Sequence, residues 1–262
     1  MEINEKEQII RHVTEIGNGA HIFAPKEWID EKVLIVRLEK KSIKEKIVEI
    51  LYPYLDKIVA VLIYGSHARK EASEDSDIDV LVIAREKFKI EKKDSFDFIV
   101  LSEDSLPSSI EVNPILMYSI FKEAEPVINS SYLERLKKIR INPRIFRTFV
   151  NDTKKSVKSS EEIMELDKKT GKTASNSILY SLVLRLRGIF IINRLLKNQE
   201  YSNRTFKKWI TNNCKVSYDK IYRIYRGVRD NINIKEEILI EEAEILLKLL
   251  KQEIKKLEKK IW

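Results

Sequence analysis

At 262 residues and 43% hydrophobic content, the chain can hold two domains, or one domain and an appendage, each with a real core. Its single cysteine, Cys214, excludes an internal disulfide and a cysteine-based zinc site, and points to the cytoplasm. A net charge of +8, a charged fraction of 34% and only six Gly and six Pro favour a helix-rich chain, compatible with a thermophile's surface. The basic balance suits polyanions (nucleotides, RNA, DNA or an acidic protein), although lysine as the default surface residue gives the same balance. No apolar run is long enough to span a membrane: Ile189 to Ile192 is hemmed in by Arg187 and Arg194. The start, from Met1 to Lys6, does not read as a signal peptide.

Taken in chain order, residues 1–41 read as a small β-rich hairpin module. His12 to Ile16 and Ala20 to Ala24 are strand-like around the turn Gly17-Asn18-Gly19. Pro25 ends the second strand, Lys26 to Glu31 read as a helical turn, and Val33 to Leu38 as a third strand. The stretch from Gly17 to Glu39 resembles the AbrB-like and transposon-encoded archaeal modules. The resemblance implies dimerisation through interleaved hairpins, and for many such modules DNA binding. Basic residues are sparse on this stretch, which favours dimerisation or packing over DNA.

A boundary falls at Lys40-Lys41-Ser42, and Ser42 with Glu45 has capping-box spacing. The helix that follows carries Ile43, Ile47, Ile50, Leu51 and Tyr54 on one side. Ile58 to Tyr64 is a short, β-branched apolar run and reads as a buried strand. It stops at Gly65-Ser66, where a short polar helix to about Lys70 should begin. A polar turn, Glu71 to Ser76, leads to Asp77-Ile78-Asp79 and a second buried run, Val80 to Ile83. Arg85 to Asp94 is a charged linker, and Ser95 to Leu101 another strand, with Asp97 alone among apolar neighbours. Ser102 to Glu111 reads as a loop containing Pro107. A helix starts at Asn113-Pro114, Glu125 to Ile128 is a short extended piece, and Ser131 with Glu134 caps a further helix to about Lys138.

The spacing around residue 77 has a chemical meaning. In a strand, residues i and i+2 share a face, so Asp77 and Asp79 lie together, roughly 6.5–7 Å apart at Cα. Such a pair suits two divalent ions about 3.5–4 Å apart. Gly65 lets the backbone approach a ligand with no Cβ in the way, and the amides of Ser66 and His67 would lie at a helix start, where phosphate binds. Together these make a site for phosphoryl or nucleotidyl transfer.

Gly65-Ser66, Ala68-Arg69, Glu71, Ser76-Asp77 and Asp79 resemble the signature of the DNA polymerase β-like nucleotidyltransferases, above all the minimal and antibiotic types. Where that family usually has Gly after the Arg, this chain has Lys70. The resemblance implies Asp77, Asp79 and Asp97 as catalytic metal ligands for Mg²⁺ or Mn²⁺. It implies Gly65, Ser66 and Arg69 at the nucleotide, with Arg69 orienting the loop or an aspartate. His67 lies at a variable position and reads as a helix-surface residue.

Residues 144–262 read as an all-helical bundle. The expected helices are Ile145 to Asp167, Ser175 to Leu196, Asn203 to Asn212, Ser217 to Asp230 and Glu236 to Ile261, with a loop from Lys168 to Lys172. Such a bundle resembles the partner domain of kanamycin-type enzymes and of HEPN-like fusions. HEPN ribonucleases need a histidine near an arginine. The three histidines here are His12, His21 and His67, so the bundle contains none and a ribonuclease role is disfavoured. Tyr180, Arg185, Arg187, Arg194, Lys207, Arg223, Arg226 and Arg229 are candidates for the wall facing the catalytic carboxylates, although most read as ordinary solvated helix faces.

The expected fold class is therefore α+β. A hairpin module over 1–41 precedes a mixed-sheet nucleotidyltransferase domain over 42–143, with flanking helices, and a helical bundle over 144–262. The expected activity is metal-dependent transfer of an NMP, AMP from ATP in the first instance, to a hydroxyl on a protein, a small molecule or RNA. The alternative is a nucleotide-sensing DNA- or RNA-binding regulator with a non-catalytic transferase fold. A homodimer is compatible with either.

Overall fold

The computed structural model describes residues 9–36, 41–73, 76–91, 93, 95–171 and 173–262. The chain divides into two compact units, Met1–Ser42 and Ile43–Trp262.

In the first unit, β1 (Thr14–Ile16) pairs antiparallel with β2 (Gly19–His21) through the expected turn, with Gly17 at φ 54°. A single 3₁₀ turn, Lys26–Trp28, follows Pro25. The expected third strand is not formed over residues 33–36, and residues 37 and 38 lie outside the described residues. The two short strands leave no sheet edge extended by Val33 to Val36, whose apolar side chains stay exposed, Leu34 at 88%.

The second unit opens with α1 (Ile43–Leu51), which buries Ile47 and Leu51. Next come β3 (Ile58–Tyr64), the one-turn helix α2 (Gly65–Ala68), β4 (Ile78–Ala84) and β5 (Phe96–Ser102). The segment expected as a loop around Pro107 is a 3₁₀ turn, Glu103–Ser105, and then a helix, α3 (Leu106–Val112). Pro107 lies in the first turn of α3, where the amide it lacks has no intrahelical partner to lose. Then follow α4 (Pro114–Glu123), capped by Asn113, and β6 (Glu125–Ile128). Next is α5 (Ser130–Lys137), whose cap is Asn129 rather than Ser131. Asn129 sits at φ 61°, its side chain accepting from Tyr132 N and donating to Val59 O. Asn tolerates that left-handed conformation better than Ser does.

The four strands form one mixed sheet in the order β5-β4-β3-β6, with β4 and β5 parallel and the other pairs antiparallel. One face, carrying Val61, Ile63, Val80, Val82, Phe96 and Phe98, packs on α1. The other carries Leu62, Tyr64, Leu81 and Ile83 and belongs to a core that runs on through α3 and α4 into the C-terminal helices.

Those helices are α6 (Arg147–Thr170), α7 (Asn176–Leu196), α8 (Asn203–Asn213), α9 (Tyr218–Arg229) and α10 (Ile240–Ile261). Helix α6 runs through Lys168 and Lys169, which were expected in a loop; basic residues suit a helix C-terminus. Lys172 lies outside the described residues. The last helix begins at Ile240, not Glu236. Before it, β7 (Thr173–Ala174) and β8 (Ile238–Leu239) pair antiparallel and bury Ala174 and Ile238. Among the described residues, no helix is long and apolar enough to cross a membrane.

Candidate active site

The sequence-predicted site residues gather at one end of the sheet, where β3 stops and β4 and β5 start, with Arg69 closing the one-turn helix α2 that follows Gly65. Tyr64 is the register partner of Asp79 in the antiparallel pair, and Asp79 is the partner of Asp97 in the parallel pair. Neighbouring strands lie about 4.8 Å apart, so Asp79 and Asp97 are side by side on one face. Asp77 precedes β4 by one residue and alternates onto that face. Asp97, although alone among apolar neighbours, is exposed and so carries no burial cost.

The chain reverses at Gly65 with φ 72°. A Cβ there would stand 2.0 Å from Asp79 Oδ2, so the turn lies directly on that carboxylate. Lys70 has φ 56°, which accounts for the Gly usual at this position in the related signature. His67 is not a free surface residue: its Nε2 lies 3.2 Å from Ser76 O, spanning the polar turn that leads to Asp77. Residues 74 and 75 of that turn lie outside the described residues.

Burial pushes the Asp79 carboxyl up to about 6, and the charges of Asp97 and Asp77 add to the effect, while Arg69 and His67 oppose it. The Tyr64 hydroxyl is raised by burial and then by the charges of Asp79, Asp97 and Glu123. A cluster of negative charge thus stands at the sheet end beside a turn shaped for close backbone approach. An all-oxygen donor set of this kind fits a hard divalent cation. As the side chains stand, no three acidic, histidine or cysteine groups among the described residues enclose a metal position.

Arg69 is near enough for its charge to act on Asp79, but its hydrogen bonds go to two glutamates. Its Nη1 donates to Glu123 Oε1 at 2.6 Å and its Nε to Glu71 Oε2 at 3.0 Å. The second Glu71 oxygen accepts from Asn203 N, at 2.8 Å, at the start of α8. Tyr201 is flanked by two guanidinium groups, Arg69 at 5.4 Å and Arg187 at 5.1 Å from the ring centroid. Of the proposed facing wall, Arg187 adjoins this network, and Tyr180 stacks on Tyr225. Lys207, Arg223, Arg226 and Arg229 are paired with Asp219, Glu236 and Asp230 on the surface.

Glu123 escaped the sequence reading. It also accepts from Gly65 N, at 3.0 Å, and its side chain is only 7% exposed. Burial raises its carboxyl, against the pull of Arg69. Its signal was its place: an acid in the last turn of a helix opposes the helix dipole and needs a compensating partner.

A strand–turn–strand unit with a glycine turn on one carboxylate and two more acids beside it defines a phosphoryl- or nucleotidyl-transfer class of fold. A family model, polymerase beta nucleotidyltransferase, matches residues 45–132. A putative protein adenylyltransferase of Methanocaldococcus jannaschii is 32% identical over 82 residues, 31% of this chain and 79% of that protein. The chain belongs to the polymerase beta nucleotidyltransferase family. Among solved structures, a spectinomycin adenyltransferase from Enterococcus faecialis, solved with ATP and spectinomycin, overlays with TM-score 0.44 and 14% identity. The overlay covers 80% of this chain and 97% of that one. A nucleotidyltransferase-like protein from Exiguobacterium sibiricum overlays with TM-score 0.38 and 12% identity, over 80% and 73% of the two chains. At such scores neither overlay supports an assignment.

Proposed function

We propose that the chain is an adenylyltransferase that moves AMP from ATP to a hydroxyl of an acceptor molecule. The observation that carries this is the contact between Gly65 and Asp79. It puts the turn that would receive the triphosphate beside the carboxylates that would hold Mg²⁺ or Mn²⁺. Asp77, Asp79 and Asp97 would be the cation ligands. Bound there, two cations would neutralise phosphate charge and polarise the α-phosphate. The turn at Gly65-Ser66 positions the triphosphate. Asp97, exposed near the start of β5, would complete one cation's shell and help activate the acceptor hydroxyl by taking its proton. The acceptor oxygen attacks the α-phosphorus in line, the bond from that phosphorus to the bridging oxygen breaks, and pyrophosphate leaves. Arg69 is engaged with Glu71 and Glu123, and through them it helps to order the loop.

The M. jannaschii relative, described as a putative protein adenylyltransferase, makes a protein hydroxyl the first acceptor to test. Small molecules and RNA come next, and the cytoplasm is the setting in which ATP and such acceptors meet. The test is incubation with α-³²P-labelled ATP, CTP, GTP and UTP, with Mg²⁺ or Mn²⁺, alone and with cell extract. Label on a protein, RNA or small-molecule fraction, lost with Asp77→Ala/Asp79→Ala, supports the transferase. No label from a chain that binds ATP favours the nucleotide-sensing regulator instead.

A further inference from the structure

We propose that Glu123 is a positioning residue for the nucleotide-binding turn and that Arg69 acts as its charge shield, an inference that rests on the nucleotidyltransferase reading above. One oxygen of Glu123 accepts two hydrogen bonds, from Gly65 N at 3.0 Å and from Arg69 Nη1 at 2.6 Å. The first holds Gly65 in its left-handed conformation, against Asp79. It also means that the Gly65 amide is spent on the protein, so the triphosphate must use other donors of the turn.

The arrangement carries an electrostatic cost. Glu123 places a carboxylate directly behind the turn that a polyanion has to approach, and its side chain is too buried for water to screen it. Left alone it would repel the triphosphate, in addition to the three aspartates in front. Arg69 offsets that charge at contact distance, the shorter of its two ion pairs being the one to Glu123. It cannot leave to bind phosphate itself, because Glu71 holds its Nε and Glu71 is in turn fixed by Asn203 N of α8. Tyr201 closes the remaining side of the guanidinium. Arg69 is thus pinned by its own loop, by α4 and by the segment entering α8, in a position where it serves nucleotide binding without touching the nucleotide.

A shield and a simple structural clamp differ in one respect. If Arg69 is a shield, removing the charge of Glu123 makes Arg69 dispensable. The experiment is calorimetric titration of the full chain with Mg²⁺ and α,β-methylene-ATP, for the wild type, Arg69→Gln, Glu123→Gln and the double variant. Arg69→Gln is expected to weaken binding by about tenfold or more. Glu123→Gln keeps an oxygen for both hydrogen bonds and loses the charge, and should tighten binding by about threefold. The double variant should return to within about threefold of the wild type. Losses that add in the double variant, with no restoration, overturn the inference while leaving the family reading intact. Should Arg69→Gln fail to fold, Arg69→Lys keeps the charge and is expected to bind as the wild type does; a tenfold loss in a folded Arg69→Lys overturns the shield equally. A wild type that binds no nucleotide removes the parent reading, and this inference with it.

Discussion

Asp79 and Asp97 stand opposite each other across the parallel pair of β4 and β5, and Asp79 is the more buried of the two. Burial of Asp79, with the Asp97 charge beside it, sets a pH dependence for the metal-free protein. The Asp79 carboxyl rises from its ordinary 3.8 to about 6, burial first and Asp97 second, so the folded state binds the proton more tightly than the unfolded chain. Stability is then lost as pH climbs through that window, and the loss is complete above it. Discounted for partial exposure, the cost is about 1–2 kcal/mol. Asp79→Asn should therefore raise Tm by about 2–6 °C at pH 8 and by almost nothing at pH 4. Mg²⁺ should raise the Tm of the wild type at pH 8 and not that of the variant, while transfer activity is abolished in the variant. Thermal melts at both pH values, with and without the cation, check all of this. A lower Tm at pH 8 would mean that the carboxylates do not oppose one another.

Gly65→Ala asks for a methyl group 2.0 Å from Asp79 Oδ2, at a backbone φ of 72°. Either the turn or the carboxylate must move. The expected result is a loss of about 1–3 kcal/mol in stability and of about 100-fold or more in transfer rate. The rate loss should exceed what Gly17→Ala causes: Gly17 is also left-handed but has open space around it.

Lys70→Gly is expected to stabilise the protein. Lys70 holds φ 56° with a Cβ that this conformation disfavours. Relief of that strain, less the extra freedom of the unfolded chain, leaves about 0.5–1 kcal/mol. Denaturant midpoints should show the gain with an unchanged slope. A loss would mean that the Lys70 side chain makes a contact worth more than the strain.

In the helical region, Gly188 of α7 lies against the Phe149 ring of α6, and a Cβ would fall 2.3 Å from the ring's Cζ. Gly188→Ala should cost about 1–3 kcal/mol by forcing the two helices apart. Phe149→Leu in the same chain should recover part of that loss, because the clash is with the ring. Urea melts of the single and double variants measure the coupling.

Strands β3 and β4 were legible because burial on both faces writes itself as a continuous apolar run. Ile58 to Tyr64 was read with the boundaries that the structure has. The aspartates were legible because they interrupt such runs at a period of two. Where two local rules competed, the reading failed. Pro107 signals a loop, yet it also fits the first turn of α3. Val33 to Val36 have strand composition, but a strand needs a neighbour to pair with, and composition does not name one. The Arg69–Glu123 pair was not legible at all: it joins residues 54 apart in sequence, and only the packing of α4 on the sheet brings them together.

The sheet also has two unequal borders. β6 is four residues long and carries Pro126, so it offers an incoming strand little to pair with. The β5 border is seven residues long and rich in Phe, Ile and Val, a template on which another unfolded chain could add itself. Asp97, near the start of β5, is the one acid of that strand, and a charge on an edge strand works against such addition. Replacing it with Ala would remove a catalytic candidate and a guard against aggregation in one step, and an inactive, precipitating variant would say little. Asp97→Asn keeps a polar side chain on that border and is the cleaner substitution for separating chemistry from colloidal behaviour.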